Sequence, residues 1–270
     1  MTLRRVAIVT GASRGIGRAI ALRLAKDGFS VVVNYHTNAV KAQEVVDEIT
    51  ALPSKTECLV RAMAIQADAG NPADGKRLLD ETIKAFGRLD IIVLHAGWAG
   101  ECSIHDLTED MYLTATTANI KGPIFLAKAS QPYLLKAQEE ADAVKDSGSP
   151  LGGSRIIITT TSATGMSNPG GGVLLYSVTK QALEQVARVL ARDEQYGAKG
   201  ITVNSVAPGP ILTEGLRSLP PGYVEVLADQ HPQKRNGEVD EVANVVSFLA
   251  SGESSWVNGQ NIGVSGGWTV

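Results

Sequence analysis

Short apolar runs alternate with helix-period segments along most of the chain. Arg5-Val6-Ala7-Ile8-Val9, Ser30-Val31-Val32-Val33, Ala62-Met63-Ala64-Ile65, Leu89-Asp90-Ile91-Ile92-Val93-Leu94, Arg155-Ile156-Ile157-Ile158 and Gly200-Ile201-Thr202-Val203-Asn204 each read as a strand. Gln260-Asn261-Ile262-Gly263-Val264 supplies a seventh. Most of these runs are continuously apolar, the pattern of parallel strands covered on both faces. Between them, Gly17 to Lys26 places Ile20, Leu22 and Leu24 among small residues, and Gly28 marks a stop. Val40 to Ile49 carries Val45, Val46 and Ile49. Leu78, Leu79, Ile83 and Phe86 form a third stripe before Gly87, and Leu174 to Tyr196 and Val239 to Leu249 are two further helices. Alternation at this spacing predicts an α/β fold: a doubly wound parallel sheet of about seven strands with helices on both faces and right-handed crossovers.

Two segments break the alternation. Lys136 to Ser154 is rich in charge and then runs Ser147-Gly148-Ser149-Pro150-Leu151-Gly152-Gly153, which predicts a helix extension followed by a flexible surface loop. Thr213 to Gly237 contains Pro220-Pro221-Gly222 and Pro232. It follows a strand's carboxyl end, where open α/β sheets bind ligands. The segment reads as a mobile cover over a bound molecule or as a variable surface loop.

Composition narrows the class. A chain of 270 residues, 44% hydrophobic and 20% charged, has ample material for a large core. A net charge of −3 supplies no bulk positive field for nucleic acid or an anionic membrane. Cys58 and Cys102, with no C-x-x-C spacing, suggest reduced thiols and a cytoplasmic setting, not a disulfide frame or a zinc site. The first strand begins by about Val6, which leaves no room for a signal peptide. No apolar run approaches the ~20 residues of a membrane span.

The first strand leads directly into Thr10-Gly11-Ala12-Ser13-Arg14-Gly15-Ile16-Gly17. Glycine lets a backbone turn tightly and approach a pyrophosphate without Cβ clashes. The helix that follows offers free N–H groups and positive dipole potential. The spacing is G-x-x-x-G-x-G, not the common G-x-G-x-x-G, and its strand-turn-helix setting points to a dinucleotide. An acidic residue near the end of the second strand would grip the ribose hydroxyls of NAD. This chain has Asn34-Tyr35-His36-Thr37 there, without a carboxylate. Arg14 can pair with a 2′-phosphate bidentately, so NADPH is favoured over NADH. The other reading of Arg14 is a solvated loop charge.

Tyr176 and Lys180 are four apart and share one helix face. A free phenol has a pKa of about 10, and a nearby ammonium lowers it by favouring the phenolate. That pairing predicts a tyrosine acid or base. Taken alone it is a weak signal among six tyrosines.

With these motifs in order, the chain resembles the classical short-chain dehydrogenases/reductases end to end. The matching pieces are the glycine turn, Asp68-Ala69, Ala96-Gly97, Asn119, Ser162, Tyr176-Ser177-Val178-Thr179-Lys180, Pro208-Gly209-Pro210-Ile211-Leu212-Thr213 and the Gly266-Gly267 terminus. Within the family it looks most like 3-oxoacyl-acyl-carrier-protein reductases and related carbonyl reductases. The resemblance implies one Rossmann domain over 1–270, with a cofactor half over about 1–100 and a catalytic half over about 101–270. It implies that Tyr176 is the acid in reduction and the base in oxidation. Lys180 would lower its pKa and bind the nicotinamide ribose, and Ser162 would hydrogen-bond the substrate carbonyl. Asn119 would hold a water that links Lys180 to bulk proton supply. The cofactor would lie along Gly11, Ser13, Arg14, Gly15, Ile16, Gly17, Asn34, His36, Asp68, Ala69, His95, Ala96, Gly97, Tyr176, Lys180, Pro208, Gly209, Ile211 and Thr213. Asp68 would meet the adenine and Thr213 the carboxamide. The bland readings are a strand-end hydroxyl for Ser162, a helix-kink side chain for Asn119 and a turn former for Asp68.

Two departures stand out. The family usually has Asn-Ala-Gly after the fourth strand; here it is His95-Ala96-Gly97, and imidazole can still donate or accept a hydrogen bond. The Ser162 to Tyr176 interval is slightly long and contains Gly170-Gly171-Gly172. Met166, Val173, Leu174, Leu175, Ile211, Leu212 and Leu216 flank the expected pocket or belong to the core. The resulting expectation is NADPH-dependent reduction of a ketone, such as a 3-oxoacyl thioester, by a homotetramer with no metal. The alternatives are an NAD-dependent alcohol or sugar dehydrogenase and a catalytically silent nucleotide-binding protein.

Overall fold

A computed structural model describes residues 4–53, 62–145, 152–166 and 170–269. Seven parallel strands form one sheet in the order β3-β2-β1-β4-β5-β6-β7. They are β1 (Val6–Val9), β2 (Ser30–Tyr35), β3 (Ala62–Gln66), β4 (Ile91–Leu94), β5 (Arg155–Thr159), β6 (Thr202–Pro208) and β7 (Asn261–Val264). Val9 pairs with Val33 on one side and Val93 on the other. The strand order reverses between β1 and β4, which creates the crevice where such sheets bind ligands.

The continuous apolar runs have a simple cause. Side chains along a strand alternate between faces, and both faces are covered. Val9, Val31, Val33, Ile91 and Val93 pack with Ile20, Leu24, Val45, Ile49, Val242 and Val246. These come from α1 (Gly15–Lys26), α2 (Ala39–Ala51) and α9 (Val239–Ala250). Ile8, Val32, Ile92, Leu94, Ile156 and Ile158 face the other way, onto Leu78, Leu79, Leu126, Leu134 and Leu183. That layer is α3 (Pro72–Phe86), α5 (Gly122–Lys145) and α6 (Leu174–Leu190).

Several expectations change. α4 (Glu109–Thr116), a π-helical turn at Thr117–Lys121 and α5 occupy a stretch in which no stripe was evident. Helix α6 stops at Leu190, short of Tyr196, because turns take over; the Tyr196 hydroxyl donates to Ala127 O at 3.2 Å. The expected helix extension reaches Lys145. The expected flexible loop does not extend to its last residues, since Gly152, Gly153 and Ser154 are buried. A Cβ on Gly153 would collide with Gln138 Oε1, and Ser154 N donates to that same oxygen at 2.7 Å. Residues 146–151, like Cys58, lie outside the described residues. The Thr213–Gly237 segment holds two short helices, α7 (Glu214–Arg217) and α8 (Tyr223–Gln230).

Candidate active site

The glycine turn joins β1 to α1 at the crevice. Gly11 (φ 65°) and Gly15 (φ 56°) occupy the left-handed region that favours glycine. A Cβ on Gly17 would run into the Gly11 carbonyl oxygen and come within 2.8 Å of His95 Cδ2. Arg14 is the N-cap of α1, yet no side chain caps that helix, and its first turn holds no acidic residue. The amino end of α1 therefore keeps its N–H groups and positive potential for an outside anion. The exposed Arg14 stands at that end, beside the turn residues Ser13 and Ile16. Thr10 Oγ1 accepts from His95 N (2.9 Å) and Ala96 N (3.0 Å), which seats the β4 loop against the turn. Thr213 closes the other side: a Cβ on Gly15 would lie 3.4 Å from Thr213 Cγ2.

Asn34 supports this cradle through the backbone. It is buried, its Oδ1 accepts from Gly11 N at 3.2 Å, and its amide donates to Ile65 O and Ala67 O at 3.2 and 3.1 Å. The side chain thus braces the glycine turn at Gly11. His36 is exposed, and its carbonyl accepts from Gln66 Nε2 at 3.0 Å. Asp68 Oδ1 accepts from Gly70 N at 2.8 Å, a turn-forming contact, and Asp68 N donates to Asp74 Oδ2 at 2.8 Å. Ala69 O packs against Gly122 at the start of α5. Pro208 ends β6, Gly209 N donates to Val264 O at 3.0 Å, and the Ile211 side chain is buried in the core on the α1 side.

The chemistry-bearing groups come from α6 and the chain leaving β5. Tyr176, Lys180 and Glu184 recur every fourth residue, so one helix face meets that segment. The Tyr176 phenol lies beside Thr161, whose side chain favours its ionised form. Lys180 Nζ donates to Thr159 O at 2.8 Å, and Thr164 Oγ1 donates to Glu184 Oε1 at 2.6 Å. Ser162 lies among these contacts. Its Oγ is buried and has no hydrogen-bond partner among the described residues. Buried hydroxyls are nearly always paired, so an orphan one marks a place for another molecule.

Burial decides the electrostatics. It lowers the Lys180 ammonium to about 8. It also raises the Tyr176 phenol, outweighing the opposing influence of Thr161. The Lys180 ammonium donates to the Thr159 carbonyl, and burial is the larger influence on the phenol. The phenol therefore holds its proton at neutral pH. His95 is pushed down to about 4 by burial and by the Lys180 charge, so its imidazole is neutral. His95 Nδ1 lies 3.2 Å from Thr159 Oγ1, which ties the unusual histidine to the residue that holds Lys180.

Asn119 sits fully buried on the π turn, a feature frequent at functional sites. Its Oδ1 accepts from Trp98 N at 2.7 Å, and its Nδ2 donates to Trp98 O and Thr179 Oγ1, each at 2.9 Å. A Cβ on Gly97 would come within 2.6 Å of Asn119 Oδ1 and 3.2 Å of Lys180 Nζ. Asn119 thus locks the β4 loop to α6. Among the described residues, no helix is long and apolar enough to cross a membrane, and no group of three His, Cys, Asp or Glu side chains could hold a metal ion.

The profile of a family described as Enoyl-(Acyl carrier protein) reductase matches residues 11–269. A 3-oxoacyl-acyl-carrier-protein reductase FabG from Staphylococcus epidermidis is 35% identical over 266 residues, covering 98% of this chain and 99% of that protein. The chain belongs to the short-chain dehydrogenase/reductase family. Another member, versicolorin reductase stcU of Emericella nidulans, is 37% identical over 276 residues, with 97% and 95% of the two chains covered. The crystal structure of a short-chain dehydrogenase from Burkholderia cenocepacia in complex with NADP superposes with a TM-score of 0.84, at 34% identity and 99% coverage of both chains. This member of the short-chain dehydrogenase/reductase family is an oxidoreductase.

The fold brings the glycine turn, Ala96-Gly97, Asn119, Ser162, Tyr176, Lys180 and Thr213 to the carboxyl ends of the strands. Thr159, Thr161, Thr179 and Trp98 join them without having been foreseen. The run Thr159-Thr160-Thr161 before Ser162 was the one available signal for the first two.

Proposed function

We propose that this chain reduces a ketone to a secondary alcohol with NADPH, with Tyr176 as the general acid. The observation that carries the reading is the buried, unpartnered Ser162 hydroxyl, one residue from the Thr161 that lies beside the protonated Tyr176. The cradle fits a dinucleotide: two left-handed glycines, a third too close to its neighbours for any side chain, and an uncapped helix end. Arg14 and the absence of a carboxylate after β2 favour a 2′-phosphate, and the relative solved with NADP and the FabG relative support it. When bound, the nicotinamide supplies the hydride. Ser162 and Tyr176 donate to the carbonyl oxygen as its negative charge grows, and Tyr176 releases its proton to it. The Lys180 ammonium stabilises the phenolate that remains and binds the nicotinamide ribose. Asn119, through Thr179 and Trp98, keeps Lys180 and the β4 loop in place and holds the water that resupplies protons.

Half-buried Met166, Val173, Leu174, Leu212 and Leu216 make the substrate side apolar, whereas Leu175 and Ile211 are core. That lining suits a 3-oxoacyl thioester or a similar carbonyl compound, with Thr213–Gly237 as the cover. The chain acts as one domain in the cytoplasm. Exposed Tyr112, Leu113, Ile124, Phe125, Val178 and Val189 on α4, α5 and α6 support a homotetramer. Steady-state rates with NADPH and NADH against a ketone panel that includes a 3-oxoacyl thioester test the function. Turnover restricted to NADH, or to alcohol oxidation, contradicts it.

Arg14→Ala is expected to weaken NADPH binding about tenfold or more while leaving NADH nearly unchanged, as loss of a charge-assisted phosphate contact requires. Equal losses for both cofactors mean that Arg14 does not read the phosphate. The pH profile has a defined sign. Lys180 carries its charge below about 8 and loses it above. The Tyr176 phenol, already raised by burial, stays protonated through that range. Reductive kcat/KM is therefore expected to fall as pH rises through about 8. A profile flat well beyond that point separates Lys180 from the reaction.

A further inference from the structure

Lys41, in the first turn of α2, and Glu214, the first residue of α7, form an ion pair at the edge of the cradle. Lys41 Nζ lies 2.7 and 2.6 Å from the two carboxylate oxygens. The two residues belong to different parts of the site. Asn38 Oδ1 accepts from Lys41 N at 3.0 Å, which fixes Lys41 just past β2, where a ribose 2′ substituent is read. Glu214 follows Thr213, which packs on Gly15, and so begins the 213–237 segment. Arg14, the residue before Gly15 on which Thr213 packs, is a second cation near the carboxylate. Together with Lys41 it holds Glu214 below the usual carboxylate range, the Lys41 contact dominating. One anion from the cover thus sits before two cations from the cofactor side.

That anion is replaceable. Lys41 and Glu214 are 34% and 61% exposed, and exposed ion pairs contribute little to stability. A phosphate dianion offers more charge and three acceptor oxygens to the same cations. We propose that Glu214 holds the place of the cofactor's 2′-phosphate: Lys41 reads that phosphate with Arg14, and its arrival releases Glu214 and the α7 end of the cover. The inference rests on the NADPH reading above and adds to it a second phosphate-reading residue and a coupling between cofactor choice and the cover. Linkage makes the coupling reciprocal, so anything that frees Glu214 favours the phosphate.

The test is equilibrium binding of NADP⁺, NAD⁺ and adenosine 2′,5′-bisphosphate to the wild type, Lys41→Ala and Glu214→Gln, with hydrogen exchange of residues 213–219 as a second readout. Glu214 is exposed and Lys41 half-buried, and neither belongs to the core. Glu214→Gln is expected to tighten NADP⁺ and the bisphosphate by about fivefold or more, and Lys41→Ala to weaken both by a similar factor, with NAD⁺ unchanged. The bisphosphate is expected to speed exchange at 213–219 in the wild type and not in Glu214→Gln. Equal effects on NADP⁺ and NAD⁺, or none, overturn the inference. A wild type that binds NAD⁺ as tightly as NADP⁺ overturns the NADPH reading with it. A wild-type preference that Arg14→Ala abolishes but the Lys41 and Glu214 variants retain overturns this inference alone.

Discussion

Tyr176→Phe is expected to lower kcat for ketone reduction by about 10²–10⁴-fold, the usual contribution of a positioned general acid. The substitution removes one hydroxyl and keeps the ring, so the packing of α6 is preserved. The affinity for NADPH is expected to change by less than about fivefold, since one neutral hydrogen bond contributes ~1 kcal/mol. This split between catalysis and binding separates an acid from a merely structural tyrosine. Pre-steady-state kinetics and a binding titration on the same preparation check it. Full retained turnover would remove Tyr176 from the mechanism. The phenol's raised pKa makes the expected defect persist across neutral pH, because the wild-type residue is protonated throughout that range.

Gly17→Ala is expected to lose both cofactor and stability. Helix propensity alone predicts the opposite, since alanine is favoured over glycine by ~1 kcal/mol inside a helix. Sterics outweigh that gain here. The new Cβ would meet the Gly11 carbonyl oxygen and lie 2.8 Å from His95 Cδ2, so the turn, α1 and the β4 loop must part. A destabilisation of about 1–3 kcal/mol is expected, in the range of overpacked core sites. NADPH affinity should fall by more than tenfold, as the turn loses its shape. Gly170→Ala is the control, because nothing lies within 4 Å of its added Cβ and its φ is not left-handed. Thermal unfolding and cofactor titration of the two variants give the comparison. Matching behaviour would mean that the turn is softer than its geometry shows.

The sheet was legible because strands buried on both faces need apolar residues at every position, as Val31, Val32 and Val33 show. The α4–α5 region was not. Its threonines and Pro132 disfavour helix locally, and Ile124 and Phe125 are exposed and blur the buried stripe. Within the site, the Tyr176–Lys180 spacing places both residues on one face whatever their surroundings. Where the Lys180 ammonium points is a tertiary matter. The chain leaving β5 offers it the Thr159 carbonyl, and burial then sets the direction of the Tyr176 shift. The role of the Asn34 side chain is likewise a tertiary matter. Sequence position puts it at the end of β2, but its side chain turns beneath the glycine loop to satisfy the backbones of Gly11, Ile65 and Ala67. The threonine contacts of α6 depend on how β5 and α6 meet, which no local spacing records.

Ketone reduction as proposed joins hydride transfer from NADPH to a proton supplied by Tyr176. The most direct measurement uses NADPH deuterated at the transferring carbon, the most rapidly reduced ketone, and mass spectrometry of the product from wild type and Tyr176→Phe. One deuterium is expected on the carbinol carbon with the wild type, and almost no product with the variant. Alcohol formed without deuterium, or equal product from both proteins, would contradict that mechanism.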